Sequence, residues 1–148
     1  MRRAVDGDVA AVAALVEAAF ARHVEAVGRR PAPMDDDHAG RVARGEQWVR
    51  DGEDGALVAS VVLVDGGDHL VVHNVAVAPD RQGAGLGRAL LAFAEDEARR
   101  RGRPELRLHT NAAMDDNLEM YPRLGYAETS RSFDAGFHRV FFVKSLSD

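Results

Sequence analysis

Between Asn74 and Arg88 the chain reads Asn-Val-Ala-Val-Ala-Pro-Asp-Arg-Gln-Gly-Ala-Gly-Leu-Gly-Arg. A valine-rich strand runs into a turn with glycines at 83, 85 and 87, and an amphipathic helix follows at once. Alternate glycines let successive backbone N–H groups converge on one anion, and the helix N-terminus adds about half a positive charge. Arg81 and Arg88 flank the turn. The pattern predicts a phosphate cradle. It is not a Walker A loop, which needs Gly-Lys-Ser/Thr where this chain has Gly87-Arg88-Ala89. It is not the dinucleotide fingerprint G-x-G-x-x-G either, because the glycines here alternate. A tight structural turn is the bland alternative, and the two arginines and the strand–helix context weigh against it.

Other side chains could move protons. His73 lies on the strand before the cradle, and its ordinary pKa of about 6.5 suits a general base. A hydrogen-bonded strand histidine is the competing reading. His109, at the end of a later strand, is a second and weaker candidate. His23, His38, His69 and His138 read as surface or loop residues, and no pair has metal-ligand spacing, so no metal is expected. Asn117 and Tyr121 are four residues apart and share a helical face. The chain has no cysteine, which excludes disulfides, thiolate chemistry and a cysteinyl acyl-enzyme.

The elements that must position these groups can be read along the 148 residues. A domain of this size buries roughly 70% of its unfolded surface, so residues 1–148 read as a single domain with its own core. A net charge of −5 argues against a broad basic face for nucleic acid. The apolar run from Val9 to Ala21 is broken by Glu17 and too short to cross a bilayer, and Arg2-Arg3 lead into acidic residues rather than an apolar core. The expectation is a soluble, cytoplasmic protein. Of the 19 basic residues only Lys144 is lysine, a bias that points to a GC-rich bacterial genome.

Apolar spacing predicts a helix from about Val9 to Gly28 and a short helix opened by Asp35-Asp36-Asp37 and closed near Gly45. Strands follow at 47–50, 56–65 and 70–78, then a helix from Leu86 to Gly102 and a strand at 105–109. A helix at 115–124 stops at Gly125, and a hairpin turns at Asp134-Ala135-Gly136. The order β-α-α-β-β-β-α-β-α-β-β describes an α/β (α+β) fold: a mixed, largely antiparallel sheet of about seven strands flanked by about four helices.

Gln82-Gly83-Ala84-Gly85-Leu86-Gly87 is similar to the Q/R-x-x-G-x-G/A signature of the GNAT superfamily of N-acetyltransferases, and Asn117…Tyr121…Leu124-Gly125-Tyr126 resembles its second cofactor motif. The resemblance covers nearly the whole chain and implies acetyl-coenzyme A as cosubstrate. It implies that the strand residues Val75, Ala76 and Val77 lie along the pantetheine arm, with Val75 and Val77 pairing through their backbones. The amides of Gly83, Ala84, Gly85, Gly87 and Arg88 and the Gln82 side chain would hold the pyrophosphate. Arg81 and Arg88 would supply local positive charge. Asn117 would touch the cofactor arm and Tyr121 would sit by the sulfur. The run Arg99–Arg101 lies roughly 18 Å further along its helix and reads as a solvated end.

Acetyl transfer needs a neutral amine and a protonated leaving thiolate. For a lysine-like amine of pKa about 10.4, deprotonation at pH 7 costs roughly 4.6 kcal/mol. His73 is the expected base: strict alternation puts Val71, His73, Val75 and Val77 on one side of the strand, with His73 one pleat towards the acetyl end. Tyr121 is the expected acid, although Pro122 after it should disturb the last helical turn. Asp35–Asp37 could hold an ammonium group or simply favour a helix start. Selectivity should come from residues 28–45, 109–116 and 133–138. Trp48, Phe141 and Phe142 read as core or subunit contact, and Phe133 and Phe137, beside the hairpin turn, leave a homodimer open. The reading is an N-acetyltransferase of small-molecule or peptide amines. A coenzyme-binding regulatory module without turnover is the alternative, and an enzyme acting on aminoacyl-tRNA is disfavoured by the negative charge.

Overall fold

The computed structural model describes residues 1–146. Helix α1 (Val9–Phe20) buries Val12, Leu15, Val16 and Ala19, one face at helical spacing. The expected continuation to Gly28 is interrupted by a 3-10 turn at Ala21–His23 before the short α2 (Val24–Val27). Helix α3 (His38–Ala43) starts where the Asp37 side chain accepts from the Gly40 N–H, at 3.0 Å. Helices α4 (Leu86–Arg100) and α5 (Asp115–Arg123) end alike. Gly102 and Gly125 take left-handed backbone, and the amides beyond them, of Arg103 and Tyr126, reach back to the Ala98 and Tyr121 carbonyls. That closure carries α5 through Pro122 without loss of its last turn.

The strands are β1 (Arg2–Arg3), β2 (Gln47–Asp51), β3 (Leu57–Asp65), β4 (Leu70–Val77), β5 (Glu105–Asn111), β6 (Ala127–Asp134) and β7 (Phe137–Ser145). They form one sheet in the order β1-β2-β3-β4-β5-β7-β6, antiparallel except for β4 with β5. The mixed seven-stranded sheet with flanking helices follows the expected order. Helix α4 packs on one face over Leu63, Val72, Leu106 and Phe142, and α1 covers Val49 and Ala76 on the other. Trp48 meets Phe93 edge-on, with ring centres 5.1 Å apart, so it and Phe142 belong to the core.

Two irregularities in β4 shape everything around it. Its parallel pairing with β5 covers only Leu70–Leu106, Val71–Arg107 and Val72–Leu108, after which the two strands part and each keeps only its outer neighbour, β3 or β7. Along the other edge, Val62 of β3 pairs with Asn74 and Leu63 with Val72, which leaves His73 as an extra, bulged residue. The bulge overturns the expected alternation. Val75 and Val77 pack towards α4, whereas His73 turns to the opposite face and meets Arg41 of α3.

The β6–β7 turn places Ala135 at φ 51° and Gly136 at φ 83°, the two-residue geometry whose twist suits a hairpin. Ala135 is the one non-glycine with positive φ among the described residues. Ala135→Gly should therefore stabilise the protein by about 0.5–1 kcal/mol and raise the thermal midpoint by about 2 °C, measured by calorimetry.

Candidate active site

The cradle is built from backbone. Arg81 N–H still bonds to the Ala78 carbonyl and Ala89 N–H to the Gly85 carbonyl, but between them the amides of residues 82–88 have no backbone acceptor. Gly83 and Gly85, at φ 84° and 86°, need glycine for conformation. Gly87 does not: its backbone is helical, and a Cβ there would meet nothing within 4 Å. A helical glycine costs about 1 kcal/mol against alanine, and nothing in this chain needs the space it leaves. The gap is room for a ligand.

Charge is allocated to match. Arg99, Arg100 and Arg101 engage Asp96, Glu97 and Asp65, and most other arginines also have a carboxylate in contact. Arg81 and Arg88 have none, and Arg22 donates only to His23 Nε2, at 3.3 Å. All three arginines and His23 line a groove of about 400 Å³ that runs from the cradle along Val75–Val77 to Asn117 and Tyr121. Sequence reading missed Arg22 and His23, because nothing in their spacing brings the end of α1 to the cradle.

Strand geometry decides which backbone groups face that groove. Ala78 N–H donates to Val58 of β3 at 2.9 Å, so by two-residue alternation Ala76 also turns its backbone to β3. Val75 and Val77 turn theirs to the cleft that β5 leaves open. Ala76 therefore offers the groove contact surface but no backbone pairing. Gln82, expected to reach an anion with its side chain, donates Nε2 to the Val77 carbonyl at 3.0 Å and ties the turn to the strand end.

Past Tyr121 the groove meets a smaller cavity of about 80 Å³, lined by His73, Asn74, His109, Phe137 and Arg139 and by Pro31–Pro33. Here Arg41 matters. Its guanidinium is held by Asp36, at 3.0 Å, and by Glu46, at 3.0 Å, and its Nη2 donates to His73 Nε2 at 2.9 Å. A guanidinium only donates, so His73 Nε2 accepts and the neutral ring carries its proton on Nδ1. Burial, followed by the Arg41 charge, lowers the His73 pKa. The residue expected to be a free base has its lone pair occupied by Arg41. His109 lies with its ring centre 6.0 Å from that of His73, and burial, with Arg139 and His73 beside it, pushes its pKa down to about 4.

Tyr121 is 7% exposed, packs on Tyr126 and Phe142, and has its pKa pushed up to about 12 by burial. Its hydroxyl stays protonated and makes no hydrogen bond to another described residue. Asn117 lines the groove with it and donates Nδ2 to Thr110 Oγ1 at 3.0 Å. The three aspartates before α3 do not line either cavity: Asp35 pairs with Arg30, Asp36 with Arg41, and Asp37 caps the helix. Phe137 is buried beneath Arg29, whose guanidinium lies 4.3 Å from the ring centre, so it is not free for a subunit interface; Phe133 is 78% exposed. His38 is buried, not on the surface. Among the described residues no group of His, Asp and Glu could hold a metal ion, and no helix is long and apolar enough to cross a membrane.

A family model described as "Acetyltransferase (GNAT) family" matches residues 12–126. The [Ribosomal protein bS18]-alanine N-acetyltransferase of Escherichia coli (strain K12) is 34% identical over 84 residues, 57% of this chain and 55% of that protein. Streptothricin acetyltransferase of Streptomyces lavendulae is 33% identical over 95 residues, 63% of this chain and 50% of the relative. The chain thus spans about half the length of the curated relatives it matches. Among solved structures, the PaiA N-acetyltransferase of Thermoplasma acidophilum, in complex with coenzyme A, superposes with a TM-score of 0.81. It covers 97% of this chain and 96% of its own at 13% identity, a likeness of fold.

Two measurements check the imidazole assignments. Nitrogen NMR of the wild type should show His73 neutral and protonated on Nδ1 at pH 7; Arg41→Met should raise its pKa and release the Nε2–H form. His109 has a folded pKa below its unfolded value of about 6.5, so its contribution to stability is present above pH 6.5 and is lost as pH falls through about 4. Unfolding free energy should drop by about 3 kcal/mol from this group over that window, and His109→Gln should flatten the slope.

Proposed function

The chain belongs to the GNAT family of acetyltransferases, and from that premise we propose that it moves an acetyl group from acetyl-coenzyme A to a primary amine of a small molecule or peptide, by direct attack with both substrates bound together. One observation carries the reading: a row of unpaired amides, flanked by unpaired arginines, continues into an unpaired strand edge within one groove. That run suits a long ligand with phosphates at one end and amides along its length.

In this reading the amides of Gly83, Ala84, Gly85, Gly87 and Arg88 take the pyrophosphate, with Arg81, Arg88 and Arg22 supplying the positive field that a net charge of −5 does not. Val75 and Val77 pair with the arm, Ala76 and Asn117 flank it, and Gln82 steadies the turn. As the amine nitrogen bonds to the acetyl carbon and the C–S bond breaks, the proton that the nitrogen loses ends on the departing sulfur; the Tyr121 hydroxyl donates a hydrogen bond to that sulfur, and burial disfavours a bare thiolate there. His73, locked on Nε2, offers Nδ1–H to the cavity and orients rather than deprotonates. Without a cysteine the acetyl group passes directly to the amine. A soluble, cytoplasmic, metal-independent enzyme fits this chemistry.

Coenzyme A should raise the thermal midpoint, and acetyl-coenzyme A should be consumed in step with amine acetylation across an amine panel. No thermal shift would refute the reading. A shift with no acetylation of any amine would leave only a binding module. Gly87→Val, which fills the bare face of the cradle, should weaken coenzyme A at least tenfold in calorimetry while leaving the free protein's stability within about 0.5 kcal/mol.

A further inference from the structure

The cavity where Tyr121 meets His73 lacks a group able to take a proton from an ammonium ion. No aspartate or glutamate lines it. The lone pair of His73 Nε2 is occupied by Arg41, whose own bonds to Asp36 and Glu46 keep it in place. His109 packs against Phe141 and stays neutral down to about pH 4. The remaining polar wall holds no proton acceptor of that strength: Thr110, Asn111, Asn117 and the buried Asn74, whose Oδ1 has no partner, are uncharged, and Arg139 is a cation paired with Asp134 at 2.7 Å. An amine that enters must already have given its proton to water.

Resting on the acetyl transfer proposed above, we infer that the acceptor is the α-amino group of a peptide, not a lysine side chain or a polyamine. An α-amino group beside a peptide carbonyl has a pKa of about 7.7–8.0, against about 10.4 for lysine. At pH 7.5 about a third of the first is neutral and only about 0.1% of the second, a gap of roughly 200-fold in reactive amine. Space points the same way. The cavity of about 80 Å³ suits a terminal residue with a small side chain. A shallow depression of about 410 Å³ continues from it, sharing Asn111 and Phe137 and edged by the exposed Phe133, where the following residues can lie. A polyamine would need carboxylates along this path, and none lines either cavity.

The test compares kcat/KM at pH 7.5 for an alanine-initiated tripeptide amide, Nα-acetyl-lysine amide and spermidine. The tripeptide should exceed both others at least 100-fold. Asn74→Asp, which puts a carboxylate in the wall, should narrow that gap at least tenfold, with stabilisation by coenzyme A as the check on folding. The inference is overturned if either competitor comes within tenfold of the tripeptide. It is equally overturned if none of the three is acetylated by protein that binds coenzyme A, or if a folded Asn74→Asp leaves the gap unchanged. Failure to bind coenzyme A would instead refute the acetyl-transfer reading beneath it.

Discussion

The parting of β4 from β5 is the constraint on which the rest of the molecule depends. Two strands in the middle of a sheet stop pairing with each other after three residues, which leaves Val75 N–H and C=O and Val77 N–H without sheet partners, while the Val77 carbonyl is taken by the Gln82 side chain. Such groups are costly to bury unsatisfied, so the fold must keep the gap open to solvent or ligand. It does so by propping the strands from both faces. The core under α4 holds Val72 against Leu108 at the fork, while α1 and the segment before α3 stand over the other side. The groove is a defect in hydrogen bonding made permanent by packing.

The arginines show the same economy. An acidic chain could attract a polyanion only by leaving a few cations uncompensated, and three of those it leaves, Arg22, Arg81 and Arg88, line one groove. Elsewhere most guanidinium groups are occupied by carboxylates, and Arg3 and Arg29 lie over aromatic rings. Arg41 is the most telling of these, because two carboxylates hold it so that its remaining donor meets His73. A free arginine there would place net charge beside the smaller cavity. A neutralised one fixes a tautomer instead.

The cradle end of the site could be read from the chain because backbone made it locally. The glycines at 83 and 85, the helix that follows and the glycine helix stops are consequences of residues within a few positions of one another. The smaller cavity could not be read so well. His73 changes face because β3 and β4 pair with an extra residue, a register no local pattern encodes. Arg41 reaches His73 across 32 residues of sequence. The aspartates at 35–37 looked available only because their partners, Arg30, Arg41 and the Gly40 amide, are chosen by the folded chain.

This division has a chemical consequence. Backbone amides and a helix terminus have no titratable state, so a hold on a phosphate built from them would be indifferent to pH and tolerant of side-chain change nearby. The smaller cavity is the reverse: its character comes from which lone pairs are already occupied. One hydrogen bond, from Arg41, occupies the His73 lone pair that a base would use, and burial keeps the Tyr121 hydroxyl protonated. A cavity lined by these two side chains and by no carboxylate would, under the proposed acetyl transfer, favour negative charge as it develops on oxygen and sulfur. Under that proposal it would do little to create a nucleophile, and selectivity among amines would pass from shape alone to the intrinsic basicity of the amine itself.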